Sequence, residues 1–162
     1  LDIIQAWVEI SVTDQLGNVV FQPGRRDDRH FIVPGSFMFK AEPVDQYGNL
    51  IDRHNLWEMV GVRYRRSIFP GLSDQAEYSF LCPTTAAAAA PPPIGNGSRL
   101  DRVVTVPAAP ERVTTLHVEA RLMYRKADQF LLNFLFGEAS GLTATVTVVS
   151  EDRKSIRVGP AE

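Results

Sequence analysis

The segments Asp14-Gln-Leu-Gly-Asn-Val-Val20 and Asp45-Gln-Tyr-Gly-Asn-Leu-Ile51 are near copies of one another, each entered and left by alternating apolar residues. The chemistry of such a segment is that of a reversal. Asp accepts hydrogen bonds from nearby backbone N–H groups, Gly takes the positive φ that the turn needs, and Asn tolerates a left-handed conformation. Two β-hairpins built on the same corner are expected, and with them a chain made of β-meanders.

The flanking patterns agree. Ile4, Ala6, Val8, Ile10 and Val12 alternate with Gln5, Trp7, Glu9, Ser11 and Thr13, a period of two that predicts a half-buried strand. Val19 to Phe21 returns as its partner and Gln22-Pro-Gly24 ends it, because Pro has no N–H to give to a ladder. The run Arg25 to Arg29 reads as a solvated loop. Phe37 to Val44 reads as one strand entering the second turn. Met59, Gly61, Arg63 and Arg65 alternate with Val60, Val62 and Tyr64, which places the arginines on one face; Pro70-Gly71 closes that strand and Ala76 to Leu81 begins the next.

Between Cys82 and Pro110 the composition shifts to five consecutive alanines, Pro91, Pro92 and Pro93, then Gly95-Asn-Gly-Ser98. Ala86 to Ala90 is too short to hold a helix in water, so residues 83–110 are expected to form a long loop, with polyproline geometry at its centre, in a single domain of residues 1–162. Val113 to Lys126 is the clearest strand of the second half, with Leu116, Val118, Ala120, Leu122 and Tyr124 on one side. The period then becomes helical at Ala127, Phe130, Leu131, Phe134 and Leu135, and Gly137 stands where a helix would end. Leu132 and Phe136 fall off that stripe, which suits a helix buried on two sides or docked to a partner. Thr143 to Ser150 and Ser155 to Val158 are expected to form a final hairpin turning at Glu151 to Lys154. The fold class is therefore mainly β: an antiparallel β-sandwich of immunoglobulin-like or fibronectin-like character, with one short helix near residues 127–137 and a barrel as the alternative.

At 162 residues the chain can bury a core without disulfides or metals, and its one cysteine, Cys82, cannot form an internal disulfide. A net charge of −2 gives no general attraction to nucleic acid or to anionic membranes. The longest apolar stretches are far shorter than the ~20 residues of a spanning helix, so no transmembrane segment is expected. The start at Leu1 without Met reads as a processed or trimmed chain.

Candidate chemistry is sparse. Asp14 and Asn18, or Asp45, Asn49 and Asp52, offer hard oxygen ligands, but neither loop ends in a bidentate Glu, and hairpin corners are the better reading. His30, His54 and His117 have no metal-ligand spacing; His54 is the one that invites attention, as a ligand supplied in trans or as a hydrogen-bonding corner. Cys82 beside Pro83 reads as an inert thiol, and no nucleophile elbow, phosphate loop or Cys-x-x-Cys-His haem-attachment motif occurs, so neither catalysis nor a bound cofactor is expected. Arg63, Arg65 and Arg66 with Tyr64 form a basic strip able to grip carboxylates, or else to pair with acids on a neighbouring strand.

Taken together, Ala6 to Gly24, the corner Asp52-Arg-His-Asn55, Ile68-Phe-Pro-Gly71 before Tyr78-Ser-Phe80, and Leu116 to Lys126 resemble the C-terminal β-sandwich region of bacterial multihaem c-type cytochromes. No haem-attachment motif accompanies them, so no haem ligand carries over. What the resemblance implies is a periplasmic or other extracytoplasmic location beside electron-transfer proteins. The expected function is that of a non-catalytic accessory subunit docked on a cytochrome-containing respiratory or photosynthetic complex. Arg63, Arg65, Arg66, His54, Pro91, Pro92, Pro93, Phe130, Phe134 and Phe136 are the expected contacts. Two alternatives stand beside it: a carbohydrate-binding or adhesion module stacking sugars on Trp7 or Tyr47, and a trimmed C-terminal domain of a multihaem cytochrome.

Overall fold

A computed structural model describes residues 3–80, 113 and 115–158. The expectations for Leu81, Cys82, the 83–110 loop and Pro91 to Pro93 lie outside the described residues.

The framework is a long antiparallel pair. Strand β1 (Gln5–Asp14) runs against β6 (Thr115–Arg125) in unbroken register from Gln5↔Arg125 to Asp14↔Leu116. The other edge of β1 is shared: β2 (Val19–Phe21) pairs near one end at Val12↔Phe21, and β3 (Phe37–Phe39) pairs near the other at Trp7↔Met38. Between them the Pro23 carbonyl accepts from the Ile10 amide at 3.0 Å. Strand β7 (Val146–Arg157) joins β6 on the outside and completes a five-stranded sheet. A second, two-stranded sheet pairs β4 (Ala41–Val44) with β5 (Gly61–Arg65). Among the described residues the fold is mainly β with antiparallel sheets and one α-helix, in a sandwich-like arrangement that does not close into a barrel.

Several expectations are corrected. Phe37 to Val44 is not one strand: the chain leaves the first sheet after Phe39 and enters the second at Ala41, so Lys40 alone joins the two. Ala76 to Phe80 forms no strand, although Tyr78 and Phe80 pack on the core. No hairpin turns at Glu151 to Lys154, because β7 continues through them with Glu151 opposite Arg121 and Arg153 opposite Glu119. Two of the four residues that resemble a solvated turn, Glu151 and Arg153, find cross-strand partners of opposite sign, which favour extended pairing.

The main core gathers Val12, Val20, Phe21, Val113 and Leu116, with Phe21 stacked on Phe80 and edge-on to Tyr78. The opposite face of the sheet is also covered at one end. Trp7, which the sequence alternation groups with polar residues, is fully buried and donates from its indole N–H to the Gly24 carbonyl at 2.8 Å. Its neighbours across the strands include Met123, which is buried, and beside them lies Arg125, 1% exposed.

Helix α1 (Gln129–Phe136) follows β6. Asp128 caps it, accepting from the Leu131 amide at 2.8 Å, and Gly137 ends it at φ 78°. Only Gln129 and Leu131 of the helix are buried. The stripe is therefore mostly outward, and the helix is not buried on two sides.

Candidate docking surface

The twin turns share one set of hydrogen bonds, but only the first closes a hairpin, β1 to β2; the second is followed by the isolated bridge Val44↔Leu50, and β4 takes β5 as its partner strand. Asp14 Oδ1 accepts from the amides of Leu16 and Asn18, both at 2.8 Å, while Oδ2 accepts from Asn18 Nδ2 at 2.9 Å. Asp45 repeats the set with Tyr47 and Asn49 at the same three distances. Donors already occupy both oxygens of each carboxylate, and they hold both groups below the ordinary value of 3.8 against the opposing effect of burial, the Asn amide contributing most. Among the described residues no group of three His, Cys, Asp or Glu is placed to hold a metal ion.

A third copy of this turn is present at Asp27 to Phe31. Asp27 Oδ1 accepts from the amides of Arg29 and Phe31, and the Asp27 amide donates to the Phe31 carbonyl at 2.8 Å. His30 stands in the glycine position at φ 66°. Its carbonyl accepts from Arg125 Nη1 at 2.8 Å, and Arg125 Nε donates to Gln5 Oε1 at 2.6 Å. Burial draws the Arg125 guanidinium down to about 10, with Asp128 opposing that shift. The buried arginine thus anchors a turn that presents Phe31 to the helix.

Helix α1 and two corners form one exposed apolar surface. Phe130, Phe134, Leu135 and Phe136 are each more than half exposed, at 54 to 57%. The Phe31 and Phe130 rings lie 4.7 Å apart, centroid to centroid. Arg29 lies over Phe31 at 5.5 Å and pairs with Glu138 at 3.5 Å, while Arg53, beside His54, lies over Phe134 at 5.1 Å. Cations over aromatic faces add modest stabilisation at exposed sites and order the guanidinium rim. His54 holds the corner at φ 62°. The structure therefore brings the His54 corner, Phe130 and Phe134 to one surface, with Phe136 on the same helix.

The arginines at Arg63, Arg65 and Arg66 are placed elsewhere. Arg63 donates to Glu42 Oε2 from Nη2 at 3.0 Å and from Nε at 3.2 Å. Arg65 lies over Phe69, and Arg66 lies 3.9 Å from the centre of the Phe37 ring while pairing with Asp74 at 3.5 Å. They hold β5 to β3, β4 and the segment after it, each engaged with an acid or an aromatic ring. Arg29, Arg53 and Phe31 were missed by sequence reasoning, as was Trp57, 82% exposed in a short 3₁₀ turn at Leu56–Glu58. The run Leu56-Trp-Glu-Met-Val60, four apolar residues in five, was the available signal for Trp57. Nothing local marked the arginines, whose aromatic partners are brought to them by the fold.

The other face of the large sheet carries charge. Arg121 contacts Glu9 at 3.4 Å, Glu119 at 2.6 Å and Glu151 at 3.9 Å; Arg153 contacts Glu119 at 2.7 Å and Glu151 at 3.7 Å. Beside this ladder His117 Nδ1 lies 3.0 Å from Ser155 Oγ in a shallow cleft that Ser11 and Thr13 also line. Glu119, the carboxylate nearest in register, is tied to both arginines, which hold it below the ordinary carboxylate value, Arg153 contributing most. The histidine and serine thus sit beside an acid already committed to a different pairing.

No family model matches the chain, and comparison with curated proteins and with solved structures returned no match.

Proposed function

We propose that this protein is a non-catalytic docking subunit of an extracytoplasmic electron-transfer assembly, and that it seats on a c-type cytochrome subunit through helix α1. The observation that carries the reading is the exposure of Phe130, Phe134, Leu135 and Phe136 together on an eight-residue helix, rimmed by Arg29 and Arg53. Aromatic side chains and arginines are the residues enriched in the buried centres of protein interfaces, and a short capped helix presents them with little ordering cost. The likeness of the β1 to β2, Asp52 to Asn55 and β6 segments to the sandwich region of multihaem cytochromes supports the choice of partner class and a periplasmic place. No helix among the described residues is long and apolar enough to cross a membrane.

The carbohydrate reading loses its first residue, since Trp7 is buried and hydrogen-bonded inside the fold. Tyr47 at its turn tip and Trp57 remain exposed.

The test is capture of the tagged chain from native membranes without overexpression, read by staining for covalent haem. Recovery of a haem-bearing partner that is lost with Phe130→Asp/Phe134→Asp supports the assignment. Recovery of the chain alone, or equal capture by that double variant, refutes it; the substituted side chains are over half exposed, so circular dichroism should show the fold retained.

A further inference from the structure

We propose that the outer edge of β7 pairs antiparallel with β7 of a second copy of this chain, extending the five-stranded sheet across a two-fold axis at Arg153. Strand β7 ends the sheet order β2-β1-β6-β7, is 12 residues long, contains no Pro, and has every residue after Val146 exposed. Along its outer edge no strand pairs with it among the described residues. Such an edge is a template for strand addition unless something blocks it.

The charges in its centre select the partner. A charged run on an edge ordinarily repels foreign strands. Here the order is Glu151, Asp152, Arg153, Lys154, two acids followed by two bases. Reversed against itself, that order sets acid opposite base. A two-fold axis normal to an antiparallel sheet and passing beside one residue places that residue opposite its own copy, so the partners of any pair are an even number of residues apart. Centred on Arg153, the register sets Asp152 opposite Lys154 of the second copy, twice.

This register suits what each side chain already does. Glu151 and Arg153 lie on the ladder face and are engaged with Arg121 and Glu119. Asp152 and Lys154 lie on the other face, opposite Ala120 and Val118, which offer them no charge. The contact of Arg153 with its own copy falls where each ladder has three carboxylates, Glu9, Glu119 and Glu151, for two guanidiniums, Arg121 and Arg153. Glu151 of each copy lies diagonal to Arg153 of the other, within reach of long side chains.

The experiment uses the full chain in sedimentation velocity, with Lys154→Glu and Asp152→Lys as variants. Wild type should show a concentration-dependent dimer. Each variant alone sets like charges opposite one another twice and should lose the dimer. An equimolar mixture of the two should restore it as a heterodimer, because each introduced charge would then face one of opposite sign on the other chain. Circular dichroism confirms that the variants fold, and amide exchange of wild-type β7 should show protection that rises with protein concentration. A wild-type monomer at every concentration, dimers of the single variants, or concentration-independent protection of the β7 edge would each overturn the proposal.

Discussion

Arg125 Nη1 donates to the His30 carbonyl at 2.8 Å across 95 positions of sequence, so the last residue of β6 holds the turn that seats Phe31 against helix α1. Arg125→Ala removes that bond and the one to Gln5, and empties space beside Trp7; a loss of about 3 kcal/mol is expected, from orphaned half-buried acceptors and lost packing. Arg125→Met should recover part of this by packing alone, since burying the charge is itself costly. Urea unfolding of the two variants checks the order.

His30 occupies a glycine position at φ 66°. A non-glycine residue there bears roughly 1–2 kcal/mol of left-handed strain, while glycine loses more freedom on folding. His30→Gly should therefore raise stability by a few tenths to about 1 kcal/mol, measured as an increase in the urea midpoint at unchanged m.

Gly24 and Gly48 share a positive φ but not their surroundings. A Cβ on Gly24 would meet the Val8 carbonyl oxygen at 2.3 Å and Glu9 Cα at 2.7 Å, whereas one on Gly48 would meet nothing within 4 Å. Gly48→Ala should cost only the conformational strain, about 1–2 kcal/mol. Gly24→Ala must also push β1 away from the loop that accepts the Trp7 indole, so a loss above about 3 kcal/mol is expected. Thermal unfolding compared side by side checks the difference.

Acid should weaken the fold through carboxylates that donors hold in the charged state. The folded pKa values of Asp14, Asp45 and Glu119 are depressed, so their contribution is present above the ordinary values of 3.8 and 4.5 and is lost as pH falls through the lower folded values. Urea midpoints measured downward from pH 6 should decline most steeply below about pH 4. Asn18→Ala removes the largest stabiliser of the Asp14 carboxylate and should flatten that decline; an unchanged slope would refute the assignment.

The parts legible in the sequence are those whose cause is local. Asp14 to Asn18 and Asp45 to Asn49 close on their own side chains, and the change of period after Lys126, with Asp128 and Gly137 at its ends, specifies the helix. The third turn escaped because His30 and Phe31 replace the Gly and Asn that advertise the other two. Trp7 shares its face with Glu9 as the alternation has it, and its burial was not legible because the cover comes from Gly24, 17 residues away. The Glu151 to Lys154 run resembles a turn until Arg121 and Glu119 lie beside it. Phe130 and Phe134 have helical spacing, yet which way they point depends on what packs against α1, and spacing carries no information on that.

The three Asp-headed turns show how little a corner of this kind asks of its sequence. Because the leading carboxylate gathers its own donors, only the first position is demanding, and the fourth needs just a residue that accepts a left-handed backbone. The middle positions are free to vary. Leu16, Arg29 and Tyr47 stand at the same place in the three corners, one aliphatic, one cationic and one aromatic, each donating its amide to the leading aspartate. The corner is a socket: its surface chemistry can be exchanged without redesigning the strands behind it, and grafted recognition residues should find a ready place there.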